Sequence, residues 1–238
     1  MEQFTSTFGN TPVAEAAPVE RATFIRRTYT LLAAAILAFV GVEFLLFTTG
    51  IADVIANVVF RGGGIGWLLV LGGFMLISYL SNRWAVSEVS SAVQYAGLGV
   101  FIVAEAVIFV PLLYIAMYAS GDPTVIFKAG VVSLGLFLGL TFTVLFTRTD
   151  FSWLAPILSI GGFAALGFIV MSAIFGFTLG NVFAFIMVAF AGSAILYETS
   201  NVLQRFNTRQ HVAAALTLFA SVALLFWYIL RIFSSGRR

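Results

Sequence analysis

An all-α integral membrane protein with seven transmembrane helices is the fold class this sequence predicts, on three observations. Hydrophobic residues make up 61% of the 238 and charged residues only 9%, and the mean hydropathy is +1.07. A soluble domain carries roughly 25% charged residues, so this chain has too little charge to cover a globular surface. Seven apolar runs are long enough to cross a bilayer, which takes about 20 residues each. The Lys and Arg residues gather in alternate connecting segments, which is the asymmetry that orients a membrane protein.

In chain order, residues 1–22 come first. They are polar, carry Gly9, Pro12 and Pro18 with mixed charge, and read as a mobile cytosolic tail. No basic stretch precedes an apolar one at the start, so the segment does not read as a cleavable signal peptide. Arg21, Arg26 and Arg27 stand just before the first apolar run, as in an anchor whose N-terminus stays in the cytosol. The runs cover about residues 30–50, 64–81, 93–118, 129–147, 154–176, 180–197 and 212–233. The third is long enough to tilt or to kink near Pro111. Between the first and second, residues 51–61 are shorter and amphipathic, and read as lying at the membrane interface. The fifth and sixth runs are joined by the tight junction GFTLGN and should form an antiparallel hairpin. Small residues mark helix contacts in lipid, so Gly135 with Gly139, the set Gly161, Gly162 and Gly167, and Gly97 with Gly99 and Ala104 read as packing positions. Residues 23–238 make one membrane domain, because no polar stretch approaches the roughly 100 residues of a soluble catalytic domain.

With the N-terminus inside, seven basic residues fall on the inner side: Arg21, Arg26, Arg27, Arg83, Arg148, Arg205 and Arg209. The outer loops hold Arg61 and Lys128, and the end of the chain places Arg231, Arg237 and Arg238 outside as well. The loops favour a cytoplasmic N-terminus.

Several chemistries are excluded by composition. There is no Cys, and His211 is the single His, so disulfides, thiolate catalysis, Cys zinc sites and two-His metal sites are all absent. The 12 basic residues barely exceed the 10 acidic ones and form no stripe, so nucleic acid is not an expected partner. No GxxxxGK[ST] phosphate loop occurs. Ser193 and Ser221 have no nearby base in sequence to activate a hydroxyl, and the protein is not expected to be an enzyme. No resident cofactor is expected, only transient calcium or protons.

Ionisable groups inside spans are expensive, about 2.5–3.5 kcal/mol on insertion scales, and therefore informative. Glu105 falls near the middle of the third run and is the deepest; a carboxyl there is expected to be neutral or paired within the bundle. Glu43 lies about two-thirds along the first run. Glu198 closes the sixth on the inner side, and Arg83 follows the second on the same side, so the topology allows the two to meet. Glu105, Glu198 and Arg83 are candidates for an ion pathway or pH sensor. A neutral, hydrogen-bonded structural role is the competing expectation for each acid.

Four segments carry a resemblance. They are FIRRTYTLLAAAILAFVG at 24–41, the end of the second run with Arg83 leading into the Gly97 cluster, GLTFTVLFTRTDFSWL at 139–154, and GSAILYETSNVL at 192–203. Together they resemble the Bax inhibitor-1 family, over nearly the whole chain after residue 22. The resemblance implies a bundle of six helices around a central seventh. Several members are described as pH-sensitive calcium leak channels that use one acid from the sixth helix and one from the seventh, latched by a basic residue ending the second helix. Carried over, the sixth-helix acid is Glu198 and the basic residue is Arg83. The second acid's place is taken by Ser221, a hydroxyl that does not titrate, which departs from the dyad. The ETSN form with Ser in the seventh helix resembles the YccA-like branch, whose bacterial members are described as modulators, and slow substrates, of the membrane protease FtsH. The resemblance thus implies the lipid bilayer and FtsH with its associated proteins as partners, and the bacterial inner membrane as location. A calcium or cation leak is the alternative activity it implies.

Overall fold

The computed structural model describes residues 12–87 and 90–235. Seven helices fill almost all of them: α1 (Pro18–Thr48), α2 (Ile51–Ala85), α3 (Ser91–Tyr118), α4 (Val125–Thr147), α5 (Leu154–Phe175), α6 (Asn181–Gln204) and α7 (His211–Ser235). Each is long and apolar enough to cross a membrane. Among the described residues the remaining backbone pairing is one isolated antiparallel bridge, between Pro12 and Asn207.

The seventh helix is central, as the resemblance implies. It packs against α1, α2, α3, α4 and α6. Its residues Val212–Leu216 are buried all the way round, which an amphipathic surface helix cannot be. The others present apolar side chains outward, among them Phe146, Phe163, Val182 and Phe185; in a span these face lipid rather than water. α5 is the most peripheral, with only Leu154 and Ala165 buried, and it leans on α2 and α6.

An aromatic chain ties the centre together. Phe39 of α1 meets Phe109 of α3 edge-on at 5.1 Å and Phe219 of α7 at 6.0 Å. Phe109 lies against Trp227 at 4.9 Å and Phe226 at 5.7 Å, and Phe101 against Phe219 at 6.0 Å. Rings offset or edge-on at these spacings are the favourable arrangements.

Glycines set the closest approaches. A Cβ on Gly97 would lie 2.8 Å from the Ser81 carbonyl and 2.9 Å from the Trp84 Cβ, so α3 meets α2 there because Gly97 has no side chain. A Cβ on Gly64 would lie 2.0 Å from the Ala173 carbonyl, which brings α2 onto α5 in the same way. Gly161 abuts the Phe190 ring. The expected packing role does not extend to Gly99, Gly135, Gly139 or Gly167, whose Cβ positions are open; the GxxxG pair of α4 faces away from the bundle.

Two boundaries differ from the sequence reading. The tail read as residues 1–22 is tied down well before residue 22. The Val13 N–H donates to the Phe206 carbonyl at 2.9 Å, Val13 is fully buried, and α1 already begins at Pro18, where proline's fixed φ suits a first helical position. Residues 1–11 of that tail lie outside the described residues. The segment at 51–61 is joined to the second span rather than separate, as the first part of α2. Gly63, at φ 55° and ψ −143°, breaks the helix there with a backbone only glycine adopts comfortably. A straight helix over the full length of α2 would run about 52 Å, far beyond a hydrocarbon core of about 30 Å. The break divides it, and the first part is buried at Ala52, Ala56 and Val59, the two alanines packing with Val110 of α3.

Candidate functional site

The loops alternate between two faces of the bundle. One face carries the N-terminal segment and the α2–α3, α4–α5 and α6–α7 loops; the other carries the α1–α2, α3–α4 and α5–α6 turns. The first holds all seven basic residues that the sequence assigned to the inner side.

Glu198 stands one turn and a half before the end of α6, near that first face, and is half-buried. The Asn201 amide donates to its Oε2 at 3.5 Å. Across the interface, the α7 side chain that interacts with it is Thr217. Ser221 lies one turn further along the same stripe of α7 and is buried. The sequence pointed to Ser221 and missed Thr217. The i, i+4 spacing of the two hydroxyls is the signal that would have found it.

The residues after Glu198 hold a loop. Ser200 accepts a hydrogen bond from the Phe151 N–H at 3.1 Å, and its own hydroxyl approaches Asp150 Oδ1 at 3.5 Å. The Ser152 N–H donates to Asp150 at 2.8 Å. That bond first, with Arg205 and Ser200 adding to it, holds the Asp150 carboxyl below its ordinary value. Nearby, the Tyr29 hydroxyl of α1 faces Thr141 of α4 and Thr199 of α6, although none of the three oxygens makes a well-formed hydrogen bond. Three of the four segments that carry the family resemblance therefore meet at this end of the bundle: 24–41 through Tyr29, 139–154 through Thr141 and Asp150, and 192–203 through Thr199 and Ser200.

Arg83, on the same face of the bundle, does not join Glu198. Its side chain is exposed, and its Nη1 donates to the Tyr79 hydroxyl of its own helix at 3.5 Å. The reason is helical phase. Ser81 and Ala85 are buried against α3 beside Gly97. Arg83 lies midway between them, about 200° round the helix from each at 100° per residue, so it projects from the opposite side of α2.

Glu105 belongs to a different place. It is 6% exposed, and its Oε2 has no hydrogen-bond partner. It lines a cavity of about 460 Å³ between α2, α3, α5 and α7, together with Trp67, Trp227, Tyr228 and Arg231. The register of α3 on α7 gives its level. The paired rings Phe101 and Phe219, and Phe109 and Trp227, both differ by 118 in residue number. Glu105 therefore stands level with Ala223, six residues and about 9 Å beyond Thr217. The structure thus separates the two candidate acids. Glu43 is buried in α1 with neither carboxyl oxygen bonded. No group of three His, Cys, Asp or Glu side chains that could hold a metal ion occurs among the described residues.

Comparison with known proteins adds two findings. A family model described as "Inhibitor of apoptosis-promoting Bax1" matches residues 21–238. An uncharacterized protein of Pseudomonas aeruginosa is 31% identical over 126 residues, which is 52% of this chain and 55% of that protein; the match spans about half the length of each.

Proposed function

The chain belongs to the Bax inhibitor-1 family, and from that premise we propose that it is a non-conducting member that modulates the membrane protease FtsH and is itself its slow substrate, in the bacterial inner membrane with its N-terminus in the cytoplasm. One observation carries the reading. Where the leak mechanism needs two carboxyls, the partners of Glu198 among the described residues are neutral, Asn201 and Thr217, and the seventh-helix position that would hold the second acid is Ser221. Two close carboxyls share a proton and push one pKa into a useful range; a carboxyl among hydroxyls and an amide has no such partner. Nor does Arg83 stand as a latch, since it faces Tyr79. The naming of FtsH rests on the YccA-like form of residues 197–201 with Ser221. The handle for an ATP-driven protease falls within residues 1–11, ahead of the Val13 anchor.

The test is degradation of a second membrane substrate by FtsH in proteoliposomes, with and without this protein. Slower degradation in its presence is expected, as is slower turnover of the protein itself once residues 2–11 are removed. Substrate decay that is unchanged by the protein, together with unchanged turnover of the truncated form, would sink the proposal.

A cation leak is the second reading. It is favoured by one observation, the unpartnered carboxyl oxygen of Glu105 at the wall of a cavity. Calcium and proton flux in the same vesicles, compared between wild type, Glu198→Gln and Glu105→Gln from mildly acidic to mildly alkaline pH, separates the two. Flux that depends on either carboxyl favours the leak; none above empty vesicles leaves protease modulation.

A further inference from the structure

The cavity at Glu105 has a composition that selects a ligand. On the α3 wall is a buried carboxyl group, Glu105, whose Oε2 has no hydrogen-bond partner. Arg231 lines the same space but is engaged elsewhere, its Nη2 donating to the Leu179 carbonyl in the α5–α6 turn. The walls between are aromatic. Trp67 and Trp227 stack with centroids 5.8 Å apart, Phe109 meets Trp227 edge-on at 4.9 Å, and Phe74 lies beside them. A second space of about 720 Å³ shares Gly63, Trp67, Leu179, Trp227 and Arg231 with the first and adjoins it on the side of the α5–α6 turn.

We propose that this cavity is a binding site for a lipophilic organic monocation, an aryl or alkyl onium or ammonium compound, whose positive centre sits beside Glu105 against the aromatic walls. The argument is one of charge and surface. A bound cation holds the carboxyl in its ionised form, whereas an anion would leave it neutral and find no counter-charge there. A neutral apolar guest leaves the carboxyl oxygen unpartnered, which is costly in an apolar site. A cation with an apolar body supplies a counter-charge to the carboxylate oxygen and is attracted by the ring faces. A small hydrated metal ion fits poorly, because the walls offer few oxygens to replace its water. Arg231, at the end nearer the α5–α6 turn, disfavours a second positive charge on the guest, so a monocation is preferred to a dication. The volume lies within the range of about 300–1,000 Å³ typical of small-molecule sites.

The test uses two probes of matched shape and opposite charge, tetraphenylphosphonium and tetraphenylborate, in equilibrium dialysis against the full chain in nanodiscs, with empty nanodiscs subtracted. Saturable binding of the phosphonium and none of the borate is expected. Glu105→Gln should weaken phosphonium binding at least tenfold, while Glu43→Gln, a buried carboxyl away from the cavity, should leave it unchanged. Should Glu105→Gln fail to fold, Ile169→Phe narrows the cavity from α5 and should abolish binding. Equal binding of both probes, phosphonium binding undiminished in Glu105→Gln, or undiminished binding in Ile169→Phe would each overturn the proposal.

Discussion

Replacing Phe109 with Ala removes the ring on which three helices converge. Phe109 is 1% exposed. It meets Phe39 at 5.1 Å, Phe226 at 5.7 Å and Trp227 at 4.9 Å. Each aromatic pair is worth about 0.5–1.5 kcal/mol beyond its burial, so three give about 1.5–4.5 kcal/mol. Truncating a buried Phe in a packed core costs about 3–5 kcal/mol. Lipid tails are as apolar as the ring itself, so burial from water contributes little and the cost is almost wholly lost packing. We therefore expect Phe109→Ala to lower stability by about 3 kcal/mol. Phe163 is the control: at 78% exposed it faces outward, and its replacement by Ala should cost less than about 0.5 kcal/mol. The assay is equilibrium unfolding of both variants in mixed micelles, with Trp emission as the readout because Trp227 touches the deleted ring. Equal destabilisation by the two substitutions would refute the aromatic chain as the centre of the bundle.

Gly97→Leu should destabilise the protein by about 1–3 kcal/mol through overpacking, because its Cβ collides with the Ser81 carbonyl; Gly135→Leu, whose Cβ meets nothing, should be near neutral, and thermal unfolding of the pair in detergent checks this. Asp122, in the α3–α4 turn, has its carboxyl held well below the ordinary range by the Thr124 hydroxyl first, then by Lys128 and the Thr124 N–H. A lowered folded value means that the stabilisation is fully present above the unfolded aspartate value of about 3.9 and is lost as pH falls from there toward the folded one. Amide protection factors at the start of α4, which divide out the intrinsic pH dependence of exchange, should therefore fall on acidification in the wild type, and Asp122→Asn should already show the lower protection at neutral pH and lack that acid-side change.

Much of the architecture was legible because lipid imposes simple rules. Seven apolar runs of sufficient length became seven helices, and the hairpin at 176–181 formed as expected because five residues between α5 and α6 leave no other return path. What was not legible depended on three-dimensional phase and contact. Arg83 and Glu198 share a face of the bundle, yet the burial of Ser81 and Ala85 turns Arg83 outward, which a list of loop charges does not reveal. Likewise, Gly97 and Gly135 look alike in sequence, but one abuts α2 and the other abuts nothing. The Val13 anchor was hidden because a single valine in a polar stretch carries no periodic signal. Thr217 escaped notice because a hydroxyl in an apolar run is ordinary until a carboxyl is placed opposite it.

The separation of Glu198 from Glu105 bears on how such a bundle would have to work. Near one face, Glu198 meets Asn201 and Thr217; about 9 Å further along α7, Glu105 opens onto the cavity. Between these levels Phe101 and Phe39 close on Phe219, with ring centroids 6.0 Å apart in each pair. Such a layer offers a cation ring edges and faces but no oxygen to replace its hydration shell, and polar groups are costly to strand among apolar ones. A hydrated ion entering from the cavity would reach Glu105 and stop there, unless the helices around Phe219 separated. The same layer lies beyond the Glu105 end of the cavity, whose lining extends the other way to Leu179 and Arg231 at the α5–α6 turn. That is the shape of a binding pocket rather than a conduit, and the lone carboxyl at its base is what gives the pocket its charge preference.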